Sequence, residues 1–326
     1  MNDRIELFAA LGDRLRRFGT DAATRAVVDR ACRINAWFTP DETVRAVHAL
    51  ADDLLRAEAL TEWLERYPLP AKQPRRVLVV TAGNIPLVGF FDLLCVTAAG
   101  HRCLVKPSAK DTVLTEYVAG LLQELNPRIA WERYDETMPV DAVIATGSDN
   151  AARYFKARYA GVPMLLRGTR QSVAVLSGRE TSEQLAGLAD DIWAYSGLGC
   201  RNVSLVFIPE AYDLRLTVPA TNEKFRNNYR QTRAVREMTG RPFRDLGGAL
   251  AVEQQGFPAA LCELAVARYR TRQEVAQWLA EHDAEIQCVV TEALPHPRRT
   301  GFGRAQSPQL TDYPDGKDVM AWLAGL

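Results

Sequence analysis

Cys200 is the residue whose surroundings suit a nucleophile. It follows Gly197-Leu198-Gly199 and precedes Arg201, in a polar turn between a helical pattern and an apolar, β-branched run. Glycines let backbone N–H groups converge where a substrate oxygen would sit. A neighbouring cation favours the thiolate, the reactive form of cysteine. Such a turn fits a nucleophilic cysteine; the competing reading is a buried cysteine at a strand entry. The other five cysteines (Cys32, Cys95, Cys103, Cys262, Cys288) are far apart, form no CxxC pair and read as small buried hydrophobes. His48, His101, His282 and His296 fall in neither HExxH nor CxxC…HxxxH spacing, so no dedicated metal site is expected.

A nucleophile needs a frame, and the hydrophobic pattern supplies one. Phe8, Leu11, Leu15 and Phe18 share a helical face, Thr39-Pro40-Asp41-Glu42 reads as a helix start, and residues 60–67 form a short helix closed by Pro68 and Pro70. From residue 77 the pattern alternates. Strands are predicted over 77–81, 103–106 and 140–146, and helices over 87–99, 111–125 and 150–159. Units of this kind imply right-handed crossovers and a parallel sheet, whose ligands gather at the carboxyl ends of the strands. Those ends are residues 81–84, 106–108 and 146–148. A second series follows: a helix over 182–195, a strand over 203–208, helical patterns over 212–238 and 259–281, and a strand over 286–291. A Gly/Pro-rich stretch at 295–308 and a last helix over 318–323 complete the chain.

The chain has 326 residues, 47% hydrophobic and 25% charged, which fits an ordinary globular protein of two compact domains or one large α/β domain. Forty Lys and Arg balance forty Asp and Glu, so no net field draws nucleic acid or an anionic membrane. The apolar stretch 85–99 is interrupted by Asp92 and is too short to span a bilayer. The N-terminus, MNDRIELFAALGDRLRRFG, has no signal-like apolar run, and a cytoplasmic enzyme is expected. Neither GxGxxG after a strand nor GxxxxGK[ST] occurs, so spacing alone reaches only a parallel α/β enzyme.

Several ordered segments carry a resemblance. Ala82-Gly83-Asn84-Ile85-Pro86-Leu87-Val88-Gly89-Phe90, Gly100-His101-Arg102-Cys103-Leu104-Val105-Lys106-Pro107-Ser108, Ser172-Val173-Ala174-Val175-Leu176 and Gly197-Leu198-Gly199-Cys200-Arg201-Asn202-Val203-Ser204 resemble the LuxC-type acyl-CoA reductases, relatives of the aldehyde dehydrogenases. Ala36-Trp37-Phe38-Thr39-Pro40, Asn227-Asn228-Tyr229 and Phe302-Gly303-Arg304-Ala305-Gln306 resemble the same family. The resemblance covers nearly the whole chain.

It implies an aldehyde-dehydrogenase-like α/β fold: a helical N-terminus with a Rossmann-type NADP-binding domain over 1–187, a catalytic domain over 188–300, and a tail over 301–326 packing back on the domain junction. Cys200 matches the nucleophile that takes the acyl group as a thioester. Asn84 matches the asparagine whose amide, with the Cys200 N–H, forms the oxyanion hole. Lys106 and Ser108 match the segment that holds the adenosine ribose, with Thr81 and Gly83 beside it, and Gly147-Ser148 the turn at the cofactor phosphates. Where hydrolytic relatives place a glutamate base, Leu165-Leu166-Arg167-Gly168-Thr169 puts Leu166, so a thiol and not water is the exchange partner; Gly168 joins the cofactor set. Ala109 stands where NAD-preferring relatives often carry a glutamate, which implies NADPH. The implied reaction is NADPH-dependent reduction of an acyl-CoA to an aldehyde by a homodimer or larger assembly. An acyl-carrier protein or acyl phosphate as donor, or a non-catalytic nucleotide-binding subunit, are the alternatives.

A basic run stands apart from these motifs. Lys224 to Arg244 holds seven basic residues against Glu237, and Arg226, Arg230 and Arg233 form one helical stripe. This is either a solvated face with acids from elsewhere, or a receiver for the phosphates of coenzyme A or an acidic carrier protein.

Overall fold

The computed structural model describes residues 2–147 and 149–326. The chain forms two compact units, one of residues up to Thr169 with Gln309–Leu326, the other Arg170–Pro308.

In the first unit, helices α1 (Asn2–Leu15), α2 (Ala22–Ile34), α3 (Pro40–Ala49) and α4 (Ala57–Leu64) precede strand β1 (Arg76–Val80). Then come α5 (Phe90–Ala99), β2 (Arg102–Lys106), α6 (Thr112–Leu125), β3 (Glu132–Arg133), β4 (Ala142–Thr146), α7 (Asp149–Arg158) and β5 (Met164–Arg167). The strands lie in the order β3-β2-β1-β4-β5, with every pair parallel. Strand order reverses between β1 and β4, and a ligand crevice belongs at the carboxyl ends of these two strands. Alternation divides the core. Val77 and Val79 pack with Leu11, Phe90 and Leu114 on one face, while Leu78 packs with Leu104, Val143 and Phe155 on the other. Burial on both faces explains the unbroken apolar run of β1. Nearly every residue of α5 is buried, so the most apolar segment of the chain is a core helix.

In the second unit, β6 (Gln171–Val175), α8 (Ser182–Trp193), β7 (Val203–Pro209), α9 (Glu223–Thr239), β8 (Arg244–Asp245), β9 (Leu250–Glu253), β10 (Glu263–Tyr269), α10 (Arg272–Glu281), β11 (Ile286–Thr291) and β12 (Arg299–Thr300) follow in order. The seven strands lie as β12-β11-β6-β7-β10-β9-β8, parallel except for the β8–β9 pair. Val173, Leu205, Val252 and Ala265 pack with Val275 and Leu279 of α10 on one face. After β12 the chain rejoins the first unit through α11 (Val319–Ala324). Val319, Met320 and Leu323 enter the same core as Phe90 and Leu94, and Trp63 Nε1 donates to Tyr313 Oη at 2.7 Å.

Several expectations change. The helical pattern over 212–238 narrows to α9, because Asn222 caps the helix through Phe225 N–H and residues 213–222 are not helical. The pattern over 259–281 resolves into β10 and α10. The division between units falls at Thr169/Arg170 and not near 187, because β6 pairs with β7 and β11 of the second sheet. The stretch over 301–326 is itself divided, its residues from Gln309 belonging to the first unit. Among the described residues, no helix is long and apolar enough to cross a membrane.

Candidate active site

Cys200 is exposed, while Cys95, Cys103, Cys262 and Cys288 are buried and Cys32 is half-buried. Burial pushes the thiols of Cys32, Cys95, Cys103 and Cys262 up, away from the reactive thiolate. Cys200 sits in a tight turn. Asn202 N–H donates to Gly199 O at 3.1 Å, and Gly199 N–H returns a bond to Asn202 Oδ1 at 2.8 Å. The buried Asn202 amide also donates to the carbonyls of Asp191, Ile192 and Ala194 at 3.2, 3.2 and 2.9 Å, tying the turn to the end of α8. Ser172 Oγ, at the start of β6, donates to the Cys200 carbonyl at 2.9 Å.

The approach to this turn is strained. Tyr195, Ser196 and Gly197 are consecutive left-handed residues, with φ of 53°, 57° and 70°. Each non-glycine costs about 1–2 kcal/mol in that region. Ser196 is held there by Asn222 Nδ2, which donates to Ser196 Oγ at 2.9 Å. The Phe302–Gln306 segment is held as well: Gly303 and Ala305 N–H donate to Asp191 at 2.7 and 2.8 Å, and Arg201 Nε donates to Ala305 O at 2.5 Å. Arg201 is thus engaged with this segment. Asn202, Ser172, Ser196, Asn222 and Asp191 did not stand out in the sequence. Only Asn202 and Ser172 lay inside segments that carry the family resemblance.

The Asn84 turn belongs to the first unit and leaves the carboxyl end of β1. Asn35 Nδ2 donates to Gly83 O at 3.0 Å, and Leu87 N–H donates to Asp111 Oδ2 at 2.7 Å. Thr81, Gly83 and Ser108 come together at the ends of β1 and β2. Ser108 N–H donates to Thr81 Oγ1 at 3.2 Å, and a Cβ on Gly83 would stand 2.6 Å from Ser108 Oγ. Glycine at 83 therefore permits the close approach of the β1 and β2 ends. Lys106 ends β2. Its ammonium lies 3.6 Å from Glu136 and 6.0 Å from the centre of the Tyr134 ring, and Glu136 also meets Arg158 at 3.4 Å. Gly147 follows β4, but its N–H is taken by the Arg167 carbonyl at 3.2 Å. Ser148 lies outside the described residues. Gly168 follows β5, where the space around it is open.

The family profile described as acyl-CoA reductase (LuxC) matches residues 21–217, more than half of the chain. The protein belongs to the LuxC acyl-CoA reductase family. A long-chain acyl-protein thioester reductase of Aliivibrio fischeri is 27% identical over 175 residues, 48% of this chain and 36% of that protein. The chain thus aligns with about a third of that relative's length. Among solved structures, an acetylating aldehyde dehydrogenase from Geobacillus thermoglucosidasius superposes with a TM-score of 0.61 at 12% identity, covering 95% of this chain and 85% of its own. The NADP-dependent glyceraldehyde-3-phosphate dehydrogenase of Bacillus halodurans, complexed with NADP, gives 0.61 at 12%, covering 90% and 74%. The fold of this LuxC-family chain is that of the aldehyde dehydrogenases.

Two other sequence features of this LuxC-family chain have definite places. Leu166 is half-buried on β5, and the next residue, Arg167, is buried against Asp92 at 2.5 Å. The arginine stripe on α9 is answered by acids: Arg226 and Arg230 pair with Glu223, and Arg233 with Glu237 and Asp245. Paired arginines on a helix whose one buried residue is Phe225 form a solvated face of balanced charge.

Proposed function

We propose that this protein reduces an acyl thioester to an aldehyde through an acyl group carried on Cys200. The observation that carries the reading is an exposed cysteine in a doubly bonded tight turn, in a chain of the acyl-CoA reductase family. The Cys200 thiolate attacks the thioester carbonyl and expels the carrier thiol, leaving an acyl-enzyme. Hydride reduction turns that thioester into a thiohemiacetal, which collapses to aldehyde and the free Cys200 thiol. Asn84 donates its amide to the oxygen that bears charge in both steps, a contribution on the order of 10²–10³ in rate. Leu166 offers no proton acceptor to a water molecule, so the acyl-enzyme persists until it is reduced or meets a thiol.

Bound NADPH would supply the hydride. Lys106 and Ser108, with Thr81 and Gly83 beside them, would hold its adenosine ribose, and the turn beginning at Gly147 its phosphates. Gly83 supports this assignment, since it brings the two strand ends together where a side chain would intrude. Ala109 offers no carboxylate to repel a 2′-phosphate, and Lys106 and Arg158 both stand beside Glu136.

Coenzyme A is one acyl carrier; the Aliivibrio fischeri relative, named for a protein thioester, makes an acylated protein the second. The test is intact-protein mass after incubation with acyl-CoAs and with acylated carrier protein, without NADPH, for wild type and Cys200→Ala. An acyl-sized gain in the wild type alone, discharged as aldehyde by NADPH, is expected. No adduct from either carrier would overturn the reading.

A further inference from the structure

The Asn84 turn is pinned on both sides by buried side chains that arrive from distant parts of the first unit. On one side stands Asn35, which ends α2 immediately before the Ala36-Trp37-Phe38-Thr39-Pro40 block. Its Nδ2 donates to Gly83 O at 3.0 Å and its Oδ1 accepts Trp37 N–H at 3.1 Å, so the amide is used at both ends. On the other side stands Asp111, 3% exposed, whose Oδ2 accepts Leu87 N–H at 2.7 Å. Leu87 holds φ of 53°, a left-handed conformation that an L side chain rarely adopts, and its carbonyl accepts Phe90 N–H at 2.9 Å where α5 begins.

Asp111 occupies the N-cap position of α6, where an aspartate ordinarily accepts the free N–H groups of its own helix. It makes no such bond here. Its carboxyl instead crosses to the Asn84 turn, and its Oδ1 is left without a hydrogen bond among the described residues. Neither the Asn35 bond nor the Asp111 bond supports a helix or a strand ladder. Both end on backbone groups of one five-residue turn, Gly83 before Asn84 and Leu87 after it.

We propose that Asp111 and Asn35 are positioning residues for Asn84, fixing the turn that presents its amide to the thioester oxygen. This rests on the role given to Asn84 above. Displacement of a catalytic group by about 1 Å can cost about a hundredfold in rate.

The experiment measures the single-turnover rate of Cys200 acylation by an acyl-CoA, read by quenched-flow mass, in a double-mutant cycle. Asp111→Leu removes the acceptor, whereas Asp111→Asn keeps an oxygen for Leu87 N–H. Asp111→Leu should slow acylation by about tenfold to a hundredfold, and Asp111→Asn should recover most of that loss. In an Asn84→Ala background, Asp111→Leu should add little, because its effect runs through an amide already gone. An equal loss in both backgrounds, or no loss in either, would overturn the inference. If Asn84→Ala alone leaves acylation intact, the role of Asn84 fails first, and that result is separately visible. Asn35→Ala, carried through the same cycle, distinguishes the same outcomes should Asp111→Leu not fold.

Discussion

Asn202 Oδ1 accepts the backbone N–H of Gly199 at 2.8 Å, so the residue two places after the cysteine fixes the residue just before it. The same amide donates to three carbonyls near the end of α8. Asn202→Ala removes four hydrogen bonds to backbone groups at once, and a loss of about 3 kcal/mol in stability is expected. Acyl transfer from an acyl-CoA should slow at least about tenfold, since it depends on the placement of the turn. Alkylation by iodoacetamide needs only an accessible thiolate and should change by no more than about threefold. A parallel fall in both rates would show that Asn202 governs the thiol itself and not the geometry of acyl transfer.

Glu136 stands between Lys106 and Arg158, at 3.6 and 3.4 Å. If the ribose of NADPH lies at Lys106, the second cation answers the 2′-phosphate and the acid opposes it. Arg158→Ala should then weaken NADPH by roughly tenfold while NADH binding stays near its starting value. Glu136→Gln should tighten NADPH. Fluorescence titration of the two cofactors against each variant reads both effects, and equal losses for NADH and NADPH would remove Arg158 from cofactor choice.

Patterns confined to one element were legible in the sequence. The β11 limits, the buried face of α1 and the Thr39-Pro40 start of α3 follow from local periodicity and capping. β10 was not legible: Leu264-Ala265-Val266-Ala267 is a short apolar run two residues from the strand's end and close before α10, so its apolar residues fit a helical period as well as an extended one. Cys200 could be picked out because glycines and a cation flank it in sequence. Ser172, which donates to the Cys200 carbonyl, could not, because it acts across the fold from the start of β6. Positive φ at Leu87, Tyr195 and Ser196 was equally hidden, since local rules assign that conformation to Gly and Asn.

Burial without a cationic partner pushes the Asp111 carboxyl up to about 8, with only the Leu87 N–H opposing the rise. In the unfolded chain the same group titrates near 4. Between those values the folded protein holds a proton that the unfolded chain has released, so stability falls as pH rises through about 4 to 8, by up to about 1.4 kcal/mol per unit. Asp191, raised to about 7 by burial, acts in the same direction. Asp141, lowered to about 2 by Arg76, acts oppositely, and its contribution is lost as pH falls from about 4 toward 2. Urea denaturation at pH 5 and pH 8 should show the decline, and Asp111→Asn should make it shallower. An unchanged slope in that variant would mean that Asp111 does not carry the proton.

The Asp92–Arg167 pair makes a last, separable prediction. Asp92 lies in the first turn of α5 and Arg167 ends β5; their side chains are 5% and 6% exposed and meet at 2.5 Å. Burial holds the Asp92 carboxyl above the usual range despite the guanidinium beside it. Asp92 Oδ1 and Arg167 Nε and Nη2 have no hydrogen bond among the described residues, so the pair is incompletely satisfied. Removing either partner leaves an isolated buried charge, and Asp92→Leu or Arg167→Met should each cost about 3–5 kcal/mol. The double variant removes both charges and fills the space with apolar atoms. It should unfold at a higher urea concentration than either single variant and approach the wild type. If the two losses simply add, the pair is held by more than its mutual attraction, and the open donors of Arg167 must have a partner of their own.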